Sequence, residues 1–253
     1  MRLLENFRNK KLSIGPFSKS CDPAIIECIG LAGFDFVIID LEHGPNSIET
    51  AQNLVRAATL HQITPIIRVN KNNESMISKA LDIGAQGVQV PQINNEQSAR
   101  NVINAARFSP SGNRGICRYV RAAEYSKKNK NDYFKESNKD TLIIIQIEGK
   151  KGLENIDSIL QIEGIDIVFI GPYDLSQSMG VPGQTNHPKV LNAMKTIIEK
   201  ASKYDKVVGT FVETPSELNM WKDLGMLYLS YKVDVGIFYE ACVNAYKSIK
   251  LSK

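Results

Sequence analysis

Short apolar runs that end in polar residues recur along the chain, and between them the apolar positions fall at helical spacing. Phe36-Val-Ile-Ile39 leads into Asp40-Leu-Glu42-His43, and Pro65-Ile-Ile67 ends at Arg68. Leu142-Ile-Ile-Ile145 ends in Gln146-Ile-Glu148, and Asp166-Ile-Val-Phe-Ile170 leads into Gly171-Pro-Tyr-Asp174. The pattern predicts strands near 12–17, 36–41, 65–69, 87–91, 142–147, 166–170, 206–212 and 227–232, with helices that include 47–60, 73–81, 187–203 and 215–224. Several strands are apolar on both faces, as in a parallel sheet covered by helices. Eight strand–helix units in alternation predict an α/β fold, a closed (β/α)8 TIM barrel, with a doubly wound open sheet as the alternative. In such a barrel the carboxyl ends of the strands form one mouth, where active sites sit. Polar groups spread over about 130 residues of sequence can meet there.

With 253 residues, no linker and no repeat, the chain reads as one domain over 1–253. The longest interruption, 108–138, holds Ser109-Pro-Ser-Gly-Asn-Arg-Gly115, a candidate Arg-bearing lid. No apolar stretch is long enough to span a bilayer, and Met1-Arg-Leu-Leu-Glu-Asn6 lacks the core of a signal peptide. Cys21, Cys28, Cys117 and Cys242 form no CxxC pair or zinc spacing and read as reduced thiols. The expectation is a cytoplasmic protein without a membrane partner. The net charge of +4 gathers around Lys127-Lys-Asn-Lys130, Lys135 and Lys139, interleaved with Asn, Asp and Glu. That stretch reads as a solvated face, and no nucleic-acid partner is expected.

Side chains alternate along a strand, so Gln146 and Glu148 share a face with Ile144, and the inward face leads to the mouth. A carboxylate there calls for a cation. Asp174, just past the next strand, is the natural second ligand, and two carboxylates with waters suit Mg²⁺ or Mn²⁺, with Co²⁺ or Zn²⁺ also admissible. Alternatively, Asp174-Leu-Ser-Gln177 has the form of a capping box. His43 is a candidate general base or a loop residue making only a hydrogen bond. Arg68 is suited to grip a carboxylate or a developing enolate, or to pair with a neighbouring acid. Asp82 ends a helical pattern, where the helix dipole disfavours it; either Lys79 offsets it or it orients His43. The turn at Gly171-Pro172 opens a helix whose free N–H groups, at Tyr173 and Asp174, can receive a substrate carboxylate. Walker A, HExxH, GxSxG and GxGxxG motifs are all absent.

Six segments in order complete the picture: Asp40-Leu-Glu-His-Gly-Pro45, Ile67-Arg-Val69, Leu81-Asp-Ile-Gly84, Gly112-Asn-Arg-Gly115, Gln146-Ile-Glu148 and Gly171-Pro-Tyr-Asp-Leu-Ser176. Together they resemble the HpcH/HpaI family of metal-dependent class II pyruvate aldolases over nearly the whole chain. The resemblance implies a phosphoenolpyruvate/pyruvate-type barrel assembled as a homo-oligomer, a hexamer built as a trimer of dimers. Its last helix, about 236–250, would be exchanged between subunits. It implies cleavage of a 4-hydroxy-2-oxo acid into pyruvate and an aldehyde, small molecules being the only partners. Glu148 and Asp174 would hold the metal, Gln146 and the backbone at Tyr173 and Asp174 would contact pyruvate, Arg68 would stabilise the enolate, and Asp82 would support His43. Two positions depart from the family pattern: Tyr173 replaces a frequent Ala, and Tyr231-Lys232 stands where relatives tend to carry Gly. Three rival readings remain: a metal-free Schiff base on Lys232, a citrate-synthase-like condensation on the same fold, and a non-catalytic keto-acid-binding protein.

Overall fold

The computed structural model describes residues 2–251. After a leading helix α1 (Arg2–Arg8), the chain alternates β1 (Ser13–Ser18), α2 (Pro23–Leu31), β2 (Phe36–Asp40), α3 (Ile48–Leu60), β3 (Thr64–Arg68), α4 (Glu74–Asp82), β4 (Gly87–Val90) and α5 (Glu96–Ala106). It continues through α6 (Lys130–Asp140), β5 (Leu142–Ile147), α7 (Lys150–Glu154), α8 (Ile156–Leu160), β6 (Ile167–Ile170), α9 (Pro172–Ser178) and α10 (Pro188–Ser202). The last elements are β7 (Val207–Val212), α11 (Pro215–Asp223), β8 (Tyr228–Val233) and α12 (Asp234–Leu251). The eight strands pair in parallel, each with the next, and β1 pairs with β8 to close the barrel. The open-sheet alternative is thereby excluded.

Alternation sorts the strand side chains into two cores. Val37, Ile39, Ile67, Val88, Ile143 and Val168 point outward onto the helices. Phe36, Ile38, Ile66, Ile144, Ile167 and Phe169 fill the barrel, joined by Tyr228 and by Leu3 of α1. Phe36 stacks on Tyr228 with ring centroids 4.3 Å apart. Gly15 and Gly209 leave them that room: a Cβ at Gly15 would sit 2.0 Å from the Phe36 carbonyl oxygen, and one at Gly209 would sit 2.1 Å from that of Tyr228. The same inward parity, carried one or two residues past the apolar layers, delivers Asp40, Arg68, Gln89, Gln146 and Glu148 to the mouth, all of them buried.

Local sequence starts the helices that space these strands. Ser47 caps α3 by accepting from the Thr50 N–H, Asn73 caps α4 from Met76, and Thr214 and Glu217 close a capping box on α11. Segment 108–138 is not an open lid. It contains a 3-10 turn at Arg121–Ser126, with Glu124 and Tyr125 in the left-handed region, and then α6. Among the described residues no helix is long and apolar enough to cross a membrane, and the four cysteines are unpaired and exposed.

Candidate active site

Arg68 is the best-fixed side chain at the mouth. Asp40 and Arg68 are register partners on β2 and β3, and the Arg68 guanidinium donates to both Asp40 carboxylate oxygens, from Nε at 2.9 Å and Nη2 at 2.8 Å. Its third nitrogen lies 3.1 Å from Glu42, and its plane sits 4.5 Å above the Phe17 ring. Asp40 also accepts from the N–H groups of Glu42 and His43, and so shapes the turn that carries the histidine. Burial alone would push Asp40 up, but the Arg68 hydrogen bonds and charge, with those two N–H groups, hold it below the usual carboxylate value.

On the next two strands, β4 and β5, Gln89 Nε2 donates to Gln146 Oε1 at 2.7 Å, and Gln146 Nε2 donates in turn to Glu148 Oε2. The other Glu148 oxygen accepts from the Gln92 N–H at 2.8 Å. Gly171 makes this possible, since a Cβ there would lie 2.9 Å from Glu148 Oε2. Burial raises Glu148, and the charges of Glu42 and Asp174 raise it further against the hydrogen bonds from Gln146 and Gln92. Glu42 is raised by burial, pulled back by Arg68, and raised again by Asp40 and Asp174. The negative charges of Glu42, Glu148 and the more exposed Asp174 thus act on one another at the mouth, and a cation there would relieve them. No three of His, Cys, Asp and Glu among the described residues converge into a ready-made cage. A hard ion held by two carboxylates, with water and substrate completing its shell, does not need one.

His43, Arg68, Gln146, Tyr173 and Asp174 all line one cavity of about 330 Å³ at the mouth, and Glu148 adjoins it through Gln146. A larger opening of about 570 Å³ beside Gly84, Arg121 and Tyr125 contains none of them. The capping alternative for Asp174 fails: the cap of α9 is Gly171, which offers no side chain, and Asp174 lies inside the first turn. Asp82 is not brought to His43 within one chain. It ends α4, which runs back from the mouth towards the amino-terminal end of β4, and it accepts from Arg114 at 2.6 Å. Neither expected role, balance by Lys79 or a grip on His43, describes that contact. Arg114 is itself buried, 4.6 Å above the Phe108 ring, so its loop is pinned rather than free to act as a lid. Lys232 forms an ion pair with Glu240 of α12 and does not line the cavity. The hydrogen bond it donates to Glu240 raises it, the opposite of what a Schiff-base nucleophile needs.

Asp40, Gln89 and the cavity residues Phe17 and Lys19 had no role in the sequence reading. Asp40 and Gln89 carried the signal that singled out Arg68, a polar residue at the inward parity of an apolar strand.

Comparison with known proteins agrees with this geometry. The family model for HpcH/HpaI aldolase/citrate lyase matches residues 13–240. A 5-keto-4-deoxy-D-glucarate aldolase from Enterobacter sp. (strain 638) is 33% identical over 241 residues, covering 95% of this chain and 93% of the relative. An HpcH/HpaI aldolase/citrate lyase family protein from Burkholderia cenocepacia J2315 superposes with a TM-score of 0.93 at 26% identity, covering 98% of this chain and 99% of that one. The citrate synthase SbnG superposes at 0.89 with 29% identity, covering 98% and 97%. With its mouth, its carboxylates and its arginine on this barrel, the chain belongs to the HpcH/HpaI aldolase/citrate lyase family of carbon–carbon lyases.

Proposed function

We propose that this enzyme is a class II pyruvate aldolase, reversibly cleaving a 4-hydroxy-2-oxo acid into pyruvate and an aldehyde with a divalent cation, Mg²⁺ or Mn²⁺. The observation that carries the reading is the gathering of His43, Arg68, Gln146 and Asp174 around one cavity, with Glu42 paired to Arg68 and Glu148 held by Gln146 beside it. Glu148 and Asp174 would hold the cation. When bound, it supplies Lewis acidity, polarising the keto oxygen and lowering the energy of the enolate.

The remaining work falls to the chain. The N–H groups of Tyr173 and Asp174, in the uncapped first turn of α9, receive the substrate carboxylate. Gln146, its amide orientation set by Gln89 and Glu148, donates to the bound keto acid. Arg68, aimed by Asp40, adds positive charge where the enolate oxygen develops. His43 takes the proton from the 4-hydroxyl as the C3–C4 bond breaks and its electron pair passes to the enolate, whose C3 then takes a proton from water to give pyruvate. In reverse, the enolate carbon attacks the aldehyde and His43 returns the proton.

The last helix supports a homo-oligomer, taken as a hexamer built from dimers. Phe238, Tyr239, Tyr246 and Ile249 of α12 are 61–68% exposed, an apolar face suited to a neighbouring subunit. Asp82 acts on His43 in this reading only across a subunit boundary, given its place at the far end of α4.

The test is pyruvate release from a panel of 4-hydroxy-2-oxo acids, untreated, with EDTA, and with Mg²⁺ or Mn²⁺ restored. Loss with chelation and recovery with metal is expected; release indifferent to EDTA refutes the metal reading. A citrate-forming condensation is a second reading, favoured by the likeness to the citrate synthase SbnG. Product from acetyl-CoA and oxaloacetate, with none from the aldol panel, would select it.

A further inference from the structure

One edge of the cavity is built around a pair of side chains from neighbouring strand ends. Tyr173 follows β6, Glu213 follows β7, and the Tyr173 hydroxyl donates to Glu213 Oε2 at 2.5 Å. The ring lies 6.2 Å from that of Phe211, tilted by 53°, and both rings line the cavity. Tyr173 is nevertheless 45% exposed, so packing alone leaves it free to swing, and the bond to Glu213 selects its orientation. Glu213 is fixed in turn by the helix it precedes: its N–H donates to Glu217 Oε2 at 2.9 Å, inside the turn closed by the Thr214 capping box.

We propose that Tyr173, locked by Glu213, sets the size of the aldehyde that the site accepts, with Glu213 as a positioning residue. This inference rests on the aldolase reading above. The residues assigned to the keto acid stand at the ends of β3, β5 and β6. The far side of that ligand faces β7, β8 and β1, where Phe211, Val233 and Phe17 present apolar surface beside Lys19, and Tyr173 closes its β6 end. A volume of about 330 Å³ is at the low end of the roughly 300–1,000 Å³ of ligand pockets. A short, unbranched aldehyde fits beside the ring at no cost. A branched or aryl aldehyde must displace the ring and break its bond to Glu213.

The experiment compares kcat/KM for addition of pyruvate to acetaldehyde, propanal, 2-methylpropanal and benzaldehyde. Glu213→Ala is expected to raise the 2-methylpropanal-to-acetaldehyde ratio by about three- to tenfold, the worth of one partly exposed hydrogen bond. Tyr173→Phe should do the same, and the double variant should gain little more than either. Glu213→Gln, whose amide oxygen still accepts from the phenol, should keep the wild-type ratio. Glu213 is exposed, so its replacement does not threaten the barrel. A ratio unchanged in Glu213→Ala, or moved equally in Glu213→Gln, overturns the inference. Exchange of pyruvate methyl protons into D₂O by the wild type separates the two levels. Exchange with unmoved ratios rejects only the Tyr173–Glu213 assignment, whereas neither exchange nor addition rejects the aldolase reading with it.

Discussion

Asp40 and Arg68 sit side by side at the ends of β2 and β3, and two hydrogen bonds of 2.8 and 2.9 Å join a fully buried carboxylate to a guanidinium. Removing the acid strands a buried cation beside Glu42. Asp40→Ala is expected to cost about 3–5 kcal/mol, read from urea unfolding, and to lower turnover as Arg68 loses its aim. Unchanged stability would refute the structural half of that statement.

The same pair predicts a pH dependence. Asp40 is held below its ordinary value in the folded state, so its contribution is complete above about 3.9, the unfolded value, and is lost as pH falls through the lower folded value. The stability gap between wild type and Asp40→Asn should therefore be constant near neutrality and shrink below about pH 4. A gap that instead closes on going alkaline would contradict the sign.

His43 hangs from the turn that Asp40 organises and lines the cavity. His43→Ala is expected to lower turnover by about 10²–10⁴ while leaving pyruvate affinity nearly intact, as measured by calorimetry with metal present. Equal losses in both would make it a binding residue instead.

Glu148→Gln should abolish Mn²⁺ binding by titration calorimetry and turnover together. Full activity of that variant in chelated buffer would remove the metal from the mechanism.

Asp82 gives a test of assembly. Asp82→Asn and His43→Ala are each expected to be nearly inactive. If Asp82 serves a neighbour's His43, subunits of the two variants dissociated and reassembled together should recover activity, because some sites then receive both native residues. No recovery in verified mixed oligomers would confine Asp82 to its contact with Arg114.

The barrel was legible because its signal is periodic. All eight strands lie within about a residue or two of the apolar runs, and inward parity alone places Arg68, Gln146 and Glu148 at the mouth. Contacts set by three-dimensional neighbours were not legible. Arg114 meets Asp82 across 32 positions, and Tyr173 meets Glu213 across 40, with no local pattern linking either pair. The supposed lid failed for a related reason. Gly, Asn and Ser signal a turn, but nothing in that composition says that the arginine within it will be buried against Phe108.

The Asp234 carboxylate, at the start of α12, accepts from Ser18 Oγ and from the N–H groups of Lys19 and Ser20, more than two hundred positions earlier. Those residues shape the β1 side of the mouth, where Lys19 borders the cavity. During synthesis, seven strands can emerge and pair while this rim still lacks its anchor, because β1 closes only on β8. The pocket is thus among the last parts of the molecule to be finished, and catalytic competence reports on completion of the entire circuit, from first strand to last helix.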